Sequence, residues 1–274
     1  VFYYCEHLER AALPGRATEI AAGMFEKCSA LKNVELPASI TSIGSEAFED
    51  CSSLVQITLP ARLREIGPYA FSDCSSLQTI TIPQGVTSIS SDTFSGCSSL
   101  TNVTIPDSVT SIGSDVFRNC SSLQQITLPD SLTSLGWSVF SHCSSLERIV
   151  IPARVTGIPS EAFWGCTNLK SVTLSDGIWG IGSAAFQDCV SLEHITLPDG
   201  LWSIASSAIQ GCSSLKSIEL PDSVTDISES TSQGCSSLTE IRIPDKVVAI
   251  WKSAFQDCSS LQRVTLSRSL QKIG

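Results

Sequence analysis

Twelve cysteines are the side chains of this sequence best suited to chemistry, and each lies 23 positions from the next, from Cys5 and Cys28 through to Cys235 and Cys258. Thiols pair as disulfides, hold soft metals or act as nucleophiles. The even spacing argues against the first two. A fixed period in this range marks a stack of short units. Stacking sets equivalent cysteines on adjacent coils with their Cβ vectors parallel, whereas a disulfide needs Cβ atoms about 3.5–4.5 Å apart and converging. No Cys-x-x-Cys pair or His cluster offers a metal set. The cysteines therefore read as a buried column of free thiols, packed as small apolar residues beside a turn, and they report no redox compartment.

Other catalytic chemistry has little support. His7, His142 and His194 occupy different places on distant coils. Ser, Asp and Glu recur as surface columns, with no nucleophile set beside a base. The chain reads as non-enzymatic, without a cofactor. A formal net charge of −10 argues against nucleic acid, whose recognition needs clustered Lys and Arg. No apolar run approaches the roughly 20 residues of a membrane span, so no membrane insertion is expected within this segment.

The elements that must position these residues follow from the period. With each cysteine as place 1, place 4 is Leu in all twelve units, place 7 is Ile or Val in all but the first, and place 9 is Leu or Ile. Place 10 is Pro in ten units, place 13 is aliphatic, place 16 is Ile except at Leu135, and place 21 is Phe in nine of eleven. Places 7 and 9 alternate with a polar place 8, as in a strand with one buried face. The Pro cannot donate a ladder hydrogen bond and ends that strand. Places 13–16 form a second extended or turn-like stretch. Gly, common at place 17, suits a tight bend there, and the apolar pair at places 20 and 21 closes the coil. Twenty-three residues leave no room for a long helix. One unit cannot bury its few inward side chains alone; stacking lines them up in files of Leu, Ile and Phe. The expected architecture is a single continuous array over residues 1–274, beginning and ending within a repeat and so read as a processed product or a fragment of a longer array.

The run Cys-x-x-Leu-x-x-Ile-x-Leu-Pro-x-x-Val-x-x-Ile-Gly-x-x-Ala-Phe, recurring in successive units along the chain, resembles the BspA-like, or Treponema-type, leucine-rich repeat. The resemblance implies a right-handed, mainly β leucine-rich-repeat solenoid of about twelve coils, with a parallel sheet over places 4 to 10 and no long helices. It also implies protein–protein interaction as a class and, because such proteins are often surface or secreted, an extracellular or cell-surface location. The repeat has no catalytic motif to carry over.

Only residues that break the pattern can confer individuality. All five tryptophans, Trp137, Trp164, Trp179, Trp202 and Trp251, fall in the second half and outside the core columns. Trp179 and Trp202 share place 14 on successive coils, where Thr is usual, and should stack. An exposed aromatic patch of this kind would bind a protein, or alternatively a glycan; the bland alternative is that the rings pack on neighbouring coils. Ile209 and Ser232 replace the place-21 Phe in consecutive units beside a polar segment, 228–232, which predicts an under-packed coil. At place 5, Glu147, Lys170, Glu193 and Lys216 alternate in sign and read as a solvated, stabilising ladder. Asp107, Asp130, Asp199, Asp222 and Asp245 recur at place 11, too sparse for the 6–8 oxygens of Ca²⁺ and more readily explained as turn residues. Thr58, Thr81, Thr104, Thr127, Thr173, Thr196 and Thr265 share place 8. Such a row suggests ice binding, but Lys, Arg, Glu and Gln at flanking places interrupt the flat surface required, and β-branched packing accounts for the Thr. Two glycosylation sequons begin at Asn102 and Asn119. The functional expectation is a non-enzymatic interaction solenoid, an adhesion-type surface or secreted module; the alternative is a structural or scaffold subunit of a larger complex.

Overall fold

The computed structural model describes residues 1–274, which fall into two compact units, Val1–Cys143 and Ser144–Gly274. Each is a stack of 23-residue coils without helices, built on short parallel strands.

In the first unit the strand at places 6–8 is seen at Arg10–Ala12, Asn33–Glu35, Thr79–Thr81 and Asn102–Thr104. Partners pair in parallel 23 residues apart, as in Ile80 with Val103. Place 7 points inward and its neighbours outward, the period-2 alternation that the sequence shows. The strands are only three residues long, shorter than the span from place 4 to place 10. A second parallel ladder of two-residue strands occupies places 15–16, including Glu19–Ile20, Ser42–Ile43 and Glu65–Ile66. The Pro at place 10 does more than end a strand: its carbonyl accepts the place-13 amide, as in Ile40 N to Pro37 O at 3.1 Å and Leu63 N to Pro60 O at 2.9 Å.

Places 18–23 form a turn in which residues at places 19 and 23 are left-handed. Glu46, Tyr69 and Asp92 have φ of 59°, 57° and 57°; Asp50, Asp73 and Gly96 have 57°, 55° and 72°. Non-glycine residues enter this region at a cost. Here alternate amides of the turn bond to the next coil: Glu46 N to Pro68 O, Phe48 N to Ala70 O and Asp50 N to Ser72 O, at 3.0, 2.8 and 2.9 Å. The turn is thus a third intercoil ladder, which offsets the backbone strain. Glycine at place 17 is not left-handed. A Cβ on Gly44 or Gly67 would lie 2.5 Å from the amide nitrogen of Ala22 or Ser45, so close approach to the preceding coil, rather than a bend, selects glycine. Where place 17 is Ser, place 20 is Thr: Ser90 Oγ donates to Ile66 O and Thr93 Oγ1 to Ser90 O.

The core of the first unit is a set of files. The rings Phe2, Phe25, Phe48, Phe71, Phe94, Phe117 and Phe140 stack nearly parallel with centroids 5.2–5.9 Å apart. The Leu file from Leu31 to Leu123 is fully buried.

The second unit repeats the plan. Arg148–Val150, Ser171–Thr173 and His194–Ile195 form one ladder and Gly157–Ile158, Gly180–Ile181 and Ser203–Ile204 the other. Phe163 and Phe186 stack at 5.3 Å. Ile209 and Ser232 continue this file and are both buried. The polar segment beside Ser232 satisfies its own hydroxyls: Ser228 Oγ donates to Ile204 O and Thr231 Oγ1 to Ser228 O, the same device as Ser90 and Thr93.

Candidate functional site

No disulfide forms, and all cysteines but Cys5 are buried. They do more than fill space. Cys51 Sγ donates to Phe25 O at 3.2 Å, Cys74 to Phe48 O at 3.1 Å and Cys97 to Phe71 O at 3.2 Å; in the second unit Cys212 donates to Phe186 O at 3.2 Å. Each thiol thus caps a turn carbonyl 26 residues earlier, a role that spacing alone does not reveal. Burial, reinforced by neighbouring thiols, pushes Cys74, Cys97, Cys120, Cys189 and Cys212 well above the ordinary thiol range and Cys51 and Cys235 up to about 12. Neutral, buried thiols are poor nucleophiles and poor metal ligands.

The histidines sit apart, His7 and His142 in the first unit on different coils and His194 on the sheet of the second. One acidic trio, Glu26, Glu46 and Glu49, brings its oxygens within 4.8 Å of one another. Burial and the adjacent carboxylates raise Glu49 above the usual carboxylate range, and Lys27 pairs with Glu26 at 3.3 Å. Three carboxylates fall short of a calcium shell.

The aspartates at place 11 hold little of the turn. Asp245 Oδ1 accepts from the amide of Arg268 and Asp222 pairs with Arg242. Ser at place 12 instead ties the turn to the preceding coil: Ser108 Oγ donates to Val86 O and Ser131 Oγ to Val109 O, both at 2.7 Å. Of the charge ladder, Lys170–Glu147 at 3.3 Å and Lys216–Glu193 at 2.9 Å form as separate exposed pairs. Asn102 lies on an exposed strand and Asn119 in a left-handed turn position.

The tryptophans divide by environment. Trp137, in the first unit, is exposed. In the second unit Trp164 is half-buried and its indole N–H donates to Asp188 at 3.3 Å. Trp251 lies under Lys272, whose Nζ is 3.8 Å from the ring centroid, a cation–π contact. Trp179 and Trp202 stack face to face, 5.5 Å between centroids and 13° from parallel, and remain 49% and 57% exposed. Backbone bonds Trp179 N to Thr156 O and Trp202 N to Trp179 O hold their strand in register. Glycine lies beneath the first ring: a Cβ on Gly157 would lie 3.9 Å from the Trp179 ring, whereas one on Gly180 would meet Ser203 and not Trp202. Place 15 is otherwise mostly Ser or Glu, so Gly157 and Gly180 beside Trp179 and Trp202 form a sequence signal that inspection of the tryptophans alone misses. The usual occupant of place 14 is Thr, whose hydroxyl bonds the preceding coil, as Thr110 Oγ1 does to Thr87 O; the indoles forgo that bond and offer an aromatic surface instead.

The repeat register, the Leu and Phe files and the intercoil ladders agree with what comparison shows. The family model described as a BspA type leucine rich repeat region matches residues 1–100, 87–201 and 180–274. The chain belongs to the BspA-type leucine-rich-repeat family. Among solved structures, a leucine-rich repeat protein from Bacteroides ovatus is similar at 31% identity and a TM-score of 0.76, over 98% of this chain and 76% of that one. A leucine rich cell surface protein from Faecalibacterium prausnitzii is similar at 26% identity and a TM-score of 0.60, over 97% and 87%. The pneumococcal vaccine antigen PcpA shares the fold at 22% identity and a TM-score of 0.62, over 97% and 77%. No curated protein sequence matches. No helix is long and apolar enough to cross a membrane. Leucine-rich-repeat proteins generally serve as scaffolds for protein interaction.

Proposed function

We propose that this chain is a non-enzymatic, adhesion-type interaction module, displayed at a cell surface or secreted, and that it grips a protein partner through the stacked pair Trp179 and Trp202. The pair carries the reading. Two large rings held parallel, with Trp179 seated against Gly157, form a pre-organised apolar platform with little side-chain freedom left to lose on binding, and aromatic side chains of this kind dominate binding energy at protein interfaces. The likeness to a protein described as a leucine rich cell surface protein supports the surface assignment. Trp137, Trp164 and Trp251 have smaller roles in this reading. The Trp164 N–H is engaged by Asp188 and the Trp251 face by Lys272.

The test is adhesion of beads coated with the 274-residue chain to surfaces carrying purified matrix proteins, comparing the parent with the Trp179→Ala, Trp202→Ala double variant. Both rings are exposed, so the variant should keep its melting temperature to within a few degrees. Adhesion to the recognised protein should fall at least tenfold. Undiminished adhesion by a folded double variant would remove the Trp pair from the interface.

A further inference from the structure

The sheet face of the first unit has a chemistry of its own. In the four coils that begin at Cys51, Cys74, Cys97 and Cys120, the outward places 5, 6 and 8 are filled by Val55, Gln56 and Thr58, then Gln78, Thr79 and Thr81, then Thr101, Asn102 and Thr104, then Gln124, Gln125 and Thr127. All are exposed and none is charged. The flanks of Thr58 to Thr127 thus lack the Lys, Arg and Glu expected beside the threonine row; those charges belong to other coils. The same three places in the second unit carry nine formal charges in eighteen positions. There the charges neutralise one another in Lys170–Glu147, Lys216–Glu193 and Arg263–Glu240. In these four coils of the first unit only Thr101 Oγ1 is engaged, donating to Gln78 O at 3.1 Å, and the ion pair Lys32–Glu9 lies on the coils before them. The remaining amides and hydroxyls of the patch hold no partner within the protein. Between Ile57 and Ile80 the strand ladder thins to a single bridge, Gln56 with Thr79, and a groove of about 460 Å³ opens there. Gln56, Thr58, Thr79, Thr81 and Gln84 line it, with Leu59 and Pro83 as apolar floor.

We propose that this uncharged face, Val55 to Thr127 with its groove, binds a neutral glycan chain. Amides and hydroxyls both donate and accept, as sugar hydroxyls do. Binding to an ionic ligand would need a counter-charge that the face does not have. A protein partner of the usual kind would find no aromatic or Arg anchor, since Val55 is the single large apolar side chain exposed among these twelve places. The strand repeat spaces equivalent hydroxyls by about 4.8 Å, so the columns meet an extended chain of repeating sugars as a series rather than at one point. Ice would require a flat face, and long amides at Gln56, Gln78, Gln124 and Gln125 break it up. The proposal concerns a different surface from the Trp pair and stands or falls independently of it.

Calorimetric titration of the full chain with cellohexaose, laminarihexaose and mannohexaose, and with a heparin hexasaccharide as the anionic comparator, tests this. At least one neutral sugar should bind saturably, with an affinity that salt leaves unchanged. The Thr81→Glu, Thr104→Glu variant should weaken it tenfold or more, and Gln56→Lys should do so as well. The matched change in the second unit, Thr173→Glu with Thr196→Glu, should have no effect, nor should loss of Trp179 and Trp202. Melting curves confirm that each variant is folded. Four outcomes would overturn the proposal: no neutral sugar bound; binding that survives both face variants; binding abolished by the tryptophan variant alone; or ice-growth inhibition without sugar binding.

Discussion

The two units share one repeat and differ in what they do with it. In the first, the phenylalanine file is unbroken from Phe2 to Phe140 and the sheet face over four coils is free of charge. In the second, the file passes through Ile209 and Ser232, the sheet face is laced with ion pairs, and two indoles replace threonines at place 14. The interior of such a stack is constrained by its neighbours on both sides, so places 1, 4, 7, 13 and 16 barely vary. Places 5, 6, 8 and 14 face outward, and there the two units diverge. Individuality in this fold is a surface property, written in columns rather than in single residues.

The largest expected effect is common to both units and serves as the control. Buried native thiols such as Cys74, Cys97, Cys189 and Cys212 resist ionisation, while thiols of the unfolded chain ionise near the ordinary value of about 8.5. Their contribution to stability is therefore complete below that pH. It is lost as pH rises from about 8.5 toward the raised native values, by about 1.4 kcal/mol per pH unit for each thiol. Urea melts at increasing pH should show a steep alkaline loss that a Cys74→Ala, Cys97→Ala variant makes shallower; an unchanged slope would mean that the thiols do not govern it. The next effect separates the units. Phe94→Ala removes a ring stacked on both sides and should cost about 3–5 kcal/mol in chemical denaturation, whereas Ile209→Ala, in the interrupted file, should cost less. Equal losses would show that file continuity adds nothing. Hydrogen exchange sharpens the same contrast: amides of residues 228–235 should exchange about tenfold faster than those of 90–97, because one file has a hydroxymethyl group where the other has a ring. The smallest effect lies on the surface. A hydrogen bond from Lys216 and its charge lower the Glu193 carboxyl below the usual carboxylate range. Its stabilising part is present above that range and disappears as pH falls through the depressed value. An NMR titration of Lys216→Ala should return Glu193 to the ordinary range, with hardly any change in melting temperature.

Much of the fold was legible because identical places recur: the Leu, Ile and Phe files, the strand at place 7 and the absence of long helices all follow from apolar periodicity. The left-handed residues at places 19 and 23 were not. Their side chains vary from Glu46 and Tyr69 to Ser207, and what holds them is backbone bonding to the next coil, which leaves no mark on residue type. Glycine at place 17 suggests a bend, but Gly44 and Gly67 answer to a neighbouring amide, a constraint that lies 22 residues away in sequence. Of the site, the stacking of Trp179 on Trp202 follows from their shared place, yet the seating of Trp179 against Gly157 becomes visible only when place 15 is read together with place 14. The uncharged face is hidden when the Thr row at place 8 is averaged over the chain, because the charges at flanking places belong to other coils; coil by coil, Val55 to Thr127 stand apart.

The direction of the side-chain donors has a consequence for how the molecule is made. Where a Cys, Ser or Thr side chain donates to a carbonyl of another coil, as Cys51 does to Phe25, Ser39 to Ala17 and Thr41 to Thr18, the acceptor is a residue synthesised earlier. Each coil leaving the ribosome therefore meets acceptors already in place, and growth by accretion at the emerging edge satisfies these groups at once. A break in translation would leave an ordered stump rather than a tangle, and its last turn would be the template for the next.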